Sequence, residues 1–445
     1  MDNDLIKCCN NNLKPFWRRK LFFTVVFSAI FVLLYSIPVL AQPNSDWIHG
    51  NYSANTDTCG TCHSTHNASS RYLTTFTTNG PTSDIYQNCT FCHSALGSSK
   101  YDEVDGMFKG NGVDSNGNAV EPKSGCTAGG GFEKMPAAIK DYTSSGPEYS
   151  YTPVTSNHLV NQPSGTLVNI PGGTLLGSNQ MELTCTSCHN VHGKTDNSLL
   201  LKVRLDIWDD VENDYKSVDI PKVVKDSSSA FNNAITDFCL ACHTDYSTGP
   251  GQYRHPVAKD GSNPQVLASS ASGFNPDLLA LPVSSSGEVT CLTCHNAHGT
   301  TAQVSNSAYN PSPPVRPSTL LRMDERGVCE NCHNKTPDKT QPNIDTAKSF
   351  ETSDLKHIVL TFSNYVSKKT AETLTNYAIS VEDDSGAAIV KAELLPNAFL
   401  SKQVLLTLNN SINLGKNVNI TVNNIMDLSG NTISAAGNQF SFQGK

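Results

Sequence analysis

Twelve of the 15 cysteines stand in six copies of one pattern, two thiols three residues apart with a histidine directly after the second. The copies are Cys59-Cys62-His63, Cys89-Cys92-His93, Cys185-Cys188-His189, Cys239-Cys242-His243, Cys291-Cys294-His295 and Cys329-Cys332-His333. Random placement at this composition would yield about 0.015 copies. On one helical turn the two sulfurs share a face, where they can add to the two vinyl groups of a haem. The histidine that follows then lies beneath the iron as proximal ligand. Zinc ribbons also pair C-x-x-C units but do not need histidine after each second cysteine. A disulfide scaffold imposes no such regularity. Thioredoxin-like motifs need a strand–helix–strand context that is not legible around any copy. The pattern predicts six covalently attached haem c groups with His63, His93, His189, His243, His295 and His333 as proximal ligands.

Seven histidines remain: His49, His66, His158, His192, His255, His298 and His357. The first, third and fifth motifs continue as C-x-x-C-H-x-x-H, which supplies His66, His192 and His298. One further histidine precedes each of these motifs, namely His49, His158 and His255. The chain thus repeats one unit over residues 49–93, 158–243 and 255–333, and a repeat marks a structural unit used again. A histidine three residues after a proximal one lies on the same side of that porphyrin, and the short backbone link cannot pass around the ring. His66, His192 and His298 are therefore expected to ligate a different haem from their own motif's. The six histidines of the repeat are the expected distal ligands, their assignment to individual haems is open, and His357 is left over. Imidazole on both faces leaves no exchangeable position, so electron transfer and not catalysis is the expected function. A multihaem enzyme would need an iron without a distal histidine or a variant such as C-x-x-C-K, and neither is present. Met107, Met135, Met181, Met323, Met426 and Cys126 read as packing residues.

Positioning six such sites falls to residues 49–333, about 47 residues per haem, which barely builds a core of its own. The expected architecture is mostly loops and short helices around a stacked haem chain, with porphyrins supplying much of the apolar interior. Gly110 to Gly131 and Ser144 to Gly177 read as loops, Asp206 to Asp219 as a solvated acidic element, and Asn310 to Pro317 as an extended connection. Ahead of this region, Arg18, Arg19 and Lys20 precede the apolar run Leu21 to Ile37, and Val39-Leu40-Ala41 puts small residues before Gln42. That is a signal-peptide layout over residues 1–41, with an uncleaved anchor as the alternative. Its removal takes the formal charge from −8 to −11. A net acidic chain does not attract phosphates, which argues against nucleic-acid binding, and a single apolar run excludes a multi-spanning membrane protein. After the hexahaem region, residues 42–334, residues 335–350 read as a linker. Residues 351–445 alternate apolar and polar positions over His357 to Phe362, Tyr377 to Glu382, Ile389 to Leu395, Gln403 to Leu408, Val418 to Ile425 and Gln439 to Phe442. Short strands at this spacing predict an all-β sandwich.

The motif series CGTCHSTHN, CTFCH, CTSCHNVHG, CLACH followed by YRHPV, CLTCHNAHG and CENCH resembles the hexahaem outer-surface c-type cytochromes of the OmcS type, which polymerise into extracellular nanowires. The resemblance covers roughly residues 47 to 334, and the alternation of extended and plain motifs is its specific part. It implies bis-histidine coordination throughout and a homopolymer in which His66 ligates a haem of the adjacent subunit. The haem on Cys291, Cys294 and His295 is the implied target. It also implies an extracellular or outer-surface location, upstream envelope cytochromes as donors and external electron acceptors. The alternative is a monomeric periplasmic or surface-bound carrier that feeds a separate reductase. The tail segments LTFSNYVS, NYAIS, VLLTLNN and NITVNNIMDLSGN resemble bacterial Ig-like domains of surface-layer and secreted proteins, which implies a spacer, adhesion or docking role.

Overall fold

The computed structural model describes residues 62–63, 83–109, 125–127, 129–143, 146–175, 178–189, 191, 204–209, 214–219, 234–246, 257, 267–271, 274–284, 286–304, 316–317, 320–323, 327–333, 339–349, 355–384, 386–396 and 400–444. The signal-peptide segment lies outside them. Among the described residues, no helix is long and apolar enough to cross a membrane.

Alternation of apolar and polar side chains builds the C-terminal part. Its strands are β3 (Ile344–Ser349), β4 (His357–Phe362), β5 (Tyr377–Val381), β6 (Ile389–Leu395), β7 (Gln403–Leu408), β8 (Asn417–Val422) and β9 (Gln439–Gln443), preceded in the chain by a hairpin of β1 (Lys134–Thr143) and β2 (Gly146–Pro153). One sheet runs β3-β4-β7-β6 and the other β5-β8-β9, every pair antiparallel. Ile358, Leu360 and Phe362 of β4 and Val404, Leu406 and Leu408 of β7 share one buried core with Val418, Ile420 and Val422 of β8. The sheets therefore pack face to face as a sandwich. Strand β3 falls in the stretch read as linker and forms an edge of the first sheet. A register shift between Ile344 and Thr346 breaks the period-two pattern there, which hides the strand from a sequence reading.

Strands β4 and β7 are apolar on both faces because both faces are covered. The side chains that point away from the sandwich core, Val359 and Leu405, pack with Leu395 against Ile139 and Tyr149 of the hairpin. The Ile139 N–H donates to Oε1 of Gln403 at 2.6 Å. The Tyr142 ring stacks on His357 with centroids 3.7 Å apart and planes 17° apart. His357 thus serves an internal interface. The hairpin itself lies partly in a stretch read as loop: its second strand, GPEYSYTP, alternates only through Tyr149 and Tyr151, and two irregularities interrupt its pairing. On the motif side it is tied by Lys134, whose Nζ lies 3.2 Å from Oδ2 of Asp105. A second tie joins the sandwich to the last motifs, where Ser367 Oγ donates to the Asp277 carbonyl at 2.8 Å and Lys369 pairs with the Asp277 carboxylate at 2.5 Å. The acidic stretch is a two-stranded hairpin, Arg204–Asp209 with Asp214–Asp219.

Candidate metal centre

The described motifs from the second to the sixth fold as the same turn. The histidine N–H donates to the carbonyl of the first cysteine at 3.0 Å in the motifs of His93, His189, His243 and His295, and at 2.8 Å in that of His333. An i→i+4 bond across this span puts sulfurs three residues apart on one face. None of the twelve described cysteines, which include Cys126 and lack Cys59, is joined in a disulfide.

Extended and plain motifs reach that turn by different routes. In the extended copies a single helical turn, Cys185–Cys188 or Cys291–Cys294, begins on the first cysteine, with Thr184 or Thr290 as N-cap. One turn does not sustain itself. It is held by the cap residue's own N–H, which donates to Ser187 Oγ at 3.0 Å and to Thr293 Oγ1 at 2.9 Å. In the plain copies the helix leads into the motif: Asp84–Thr90 carries Cys89, Ala234–Leu240 carries Cys239 and Gly327–Glu330 carries Cys329. Ser83 caps the first of these by accepting the Tyr86 N–H at 3.1 Å. These capping residues were not singled out from the sequence, yet T-C-x-[ST]-C-H-x-x-H is legible in all three extended copies, Thr58 and Thr61 included.

Successive motifs are neighbours in space. Asn88, beside the second motif, donates to the Cys62 carbonyl of the first at 3.3 Å. The Cys89 and Cys185 thiols hydrogen-bond each other, joining the second motif to the third. Cys188 lies in the electrostatic neighbourhood of Cys239 in the fourth, and Cys239 hydrogen-bonds Cys291 in the fifth. Cys294 has Cys329 and Cys332 of the sixth beside it.

Two of the expected distal histidines are described, and each meets a proximal one. His158 faces His243 with ring centroids 6.3 Å apart, and His298 faces His189 at 6.2 Å. Metal–imidazole bonds of about 2.0 Å, with roughly 1.1 Å from ring nitrogen to ring centre, set two axial rings about 6.2 Å apart. Both couples have this separation, which two imidazoles held by one metal would share. Among the described residues no group of three or more His, Cys, Asp or Glu side chains gathers as a metal site; the structure offers paired imidazoles. His298 meets the third motif and not its own, in keeping with the short link between His295 and His298. His49, His66, His192 and His255 lie outside the described residues, as does Cys59.

Ring orientation is set through Nδ1. That nitrogen of His243 lies 2.7 Å from the Pro171 carbonyl, of His158 2.5 Å from the Ala297 carbonyl, and of His93 3.2 Å from the Tyr101 carbonyl. Bonds at Nδ1 leave Nε2 as the nitrogen of His243 and His158 that could meet a metal. Burial pushes His189 down to about 4 and also lowers His158. Both rings are neutral at pH 7, as a metal ligand must be.

His298 has the most elaborate seat. Its ring stacks on Phe132 with centroids 4.7 Å apart, its N–H donates to the Gly129 carbonyl at 2.8 Å, and Nδ1 lies 2.9 Å from Oε2 of Glu103. Burial disfavours the charged His298 ring, but the Glu103 carboxylate outweighs it and the net shift is upward. A Cβ on Gly129 would stand 2.7 Å from that ring, and Gly130 has φ +77° with Gly299 against it. The glycine run read as loop is therefore a close-packed wall. Elsewhere, burial pushes the Cys126 thiol up to about 12, and Met107 Sδ accepts from the Tyr151 hydroxyl at 3.0 Å.

No protein-family model and no curated protein matches the chain. Among solved structures, the surface-layer protein SbsC is similar at 18% identity and TM-score 0.20 over 23% of this chain, so the chain spans only 14% of that protein. CopC from Methylosinus trichosporium OB3b is similar at 15% identity and TM-score 0.16, covering 24% of this chain and 94% of CopC.

Proposed function

We propose that this protein is an exported electron-transfer cytochrome carrying six bis-histidine haem c groups in the order of its motifs. The observation that carries the reading is the pair of imidazole couples at 6.2 and 6.3 Å, set on motif turns that succeed one another in chain order. The motif cysteines would hold each porphyrin by thioethers, with His158 opposite His243 and His298 opposite His189. Haem so held supplies one-electron exchange between Fe(III) and Fe(II) with both axial positions closed. The chain's own work is to fix ring orientation through Nδ1, to keep His158 and His189 neutral by burial, and to press neighbouring motifs together with little polypeptide between them. The resemblance adds a filament in which His66 reaches the fifth motif of the next subunit, fed by envelope cytochromes and discharging to external acceptors. The sandwich is a spacer or docking element in this account.

Spectroscopy of the mature protein tests the reading. Six haems per chain are expected, all low-spin, without rapid carbon monoxide binding on reduction. His158→Ala or His298→Ala should each open one iron, giving a high-spin fraction of about one sixth and one carbon monoxide bound per chain. A high-spin centre in the wild type, or variants that stay wholly low-spin, contradicts the assignment. Electron microscopy at high concentration separates filaments from dispersed monomers.

A further inference from the structure

The two imidazole couples differ in what holds them from behind, and the difference lies in one acidic side chain. Glu103 is tied at its backbone to both neighbours it separates: its N–H donates to the His93 carbonyl at 3.1 Å, and its carbonyl accepts from the Phe132 N–H at 2.9 Å. From there its carboxylate reaches Nδ1 of His298 at 2.9 Å. In the other couple both Nδ1 atoms meet backbone carbonyls, Ala297 behind His158 and Pro171 behind His243. A carbonyl presents a dipole and a carboxylate a full charge. A carboxylate behind a metal-bound imidazole raises its basicity, and a stronger donor favours Fe(III) over Fe(II).

We propose that Glu103 is a positioning residue for the haem on Cys185, Cys188 and His189: its carboxylate stands 2.9 Å behind Nδ1 of His298, leaves Nε2 for the iron, and lowers the potential of that haem below that of the haem on Cys239, Cys242 and His243. This rests on the bis-histidine reading above.

Spectroelectrochemical titration of the mature Glu103→Gln protein is the test. One of six transitions should move to higher potential, with about a tenfold shift in the ratio of oxidised to reduced haem at fixed potential, which is about 59 mV for one electron. His298→Met marks the same transition, because a thioether ligand raises it further. Six unmoved transitions in a fully haem-loaded, low-spin Glu103→Gln protein overturn the inference and leave the electron-transfer reading intact. A wild type that is not six-haem and low-spin overturns that reading itself. Should the glutamine variant fail to load haem, Glu103→Asp decides: its carboxylate sits one methylene further back, a smaller shift of the same transition is expected, and no shift overturns the proposal.

Discussion

Twenty buried side chains, from Ile344 to Ile433, form one continuous core inside the sandwich. Around the second and third motifs the corresponding group is Tyr86, Phe132 and Val160, and around the fifth and sixth it is Leu281, Met323 and Val328. At about 1.5–3 kcal/mol for each large apolar side chain removed from water, the first set can hold a domain, while among the described residues the other two are far smaller. What the described motif region has instead is pairs of sulfurs on helical turns and two pairs of imidazole rings with centroids 6.2 and 6.3 Å apart. On the function proposed above, one chain would then have two sources of cohesion, apolar packing at one end and cofactor-dependent stapling in the rest. The hairpin β1–β2 joins them.

The largest effect should come from withholding the cofactor. Expressed without haem attachment, the motif region should lose protection while the sandwich stays folded, so that limited proteolysis leaves a resistant fragment beginning near residue 339. Uniform digestion of the whole chain, or uniform resistance, would remove the distinction between the two regions.

Adjacent residues on β7 sharpen the comparison, since Leu406 points into the sandwich core and Leu405 onto the hairpin. Leu406→Ala should destabilise the sandwich by about 2–5 kcal/mol in chemical denaturation. Leu405→Ala should lose about 2 kcal/mol from the docked hairpin, exposing β1–β2 to protease while the unfolding midpoint of the sandwich stays near the wild-type value. Equal shifts of that midpoint in both variants would mean that hairpin and sandwich form one cooperative unit.

Sequence legibility divides along the same line. The six segments read as strands, from His357 to Phe442, overlap the strands β4 to β9 because residue alternation is local. Strand β3 was hidden by a bulge, and the apolar run of β4 gave no sign that its second face meets a hairpin more than 200 residues earlier. In the motif region the turns were legible to the residue, since the fixed C-x-x-C-H spacing closes the same i→i+4 bond in each described copy. The couples His158 with His243 and His298 with His189 join positions 85 and 109 residues apart. Nothing in local spacing selects those partners over the alternatives, and Glu103 carries no motif at all. Chain geometry gave only the exclusion, that His298 does not pair with the histidine of its own motif, and its ring meets His189 instead.

The smallest effect separates the two sources of cohesion by pH. Asp102 is fully buried at the end of the short strand Tyr101–Asp102, just before Glu103, and its Oδ1 accepts the Asp105 N–H at 3.0 Å. Burial raises its carboxyl to about 6, offset in part by the Asp105 N–H, pushed further by the Asp105 carboxylate and offset again by Lys109. A carboxyl raised in the folded state binds its proton more tightly there than in the unfolded chain. Stability is therefore greatest below the ordinary carboxylate range near 4 and declines as pH rises through about 6. Asp102→Asn keeps the acceptor for Asp105 and removes the charge. It should stabilise the motif region at pH 7 by on the order of 1 kcal/mol once solvent screening is allowed for, and the gain should vanish by pH 4. The sandwich transition should not move at either pH. A gain that persists at pH 4 would assign the effect to packing and not to the buried charge.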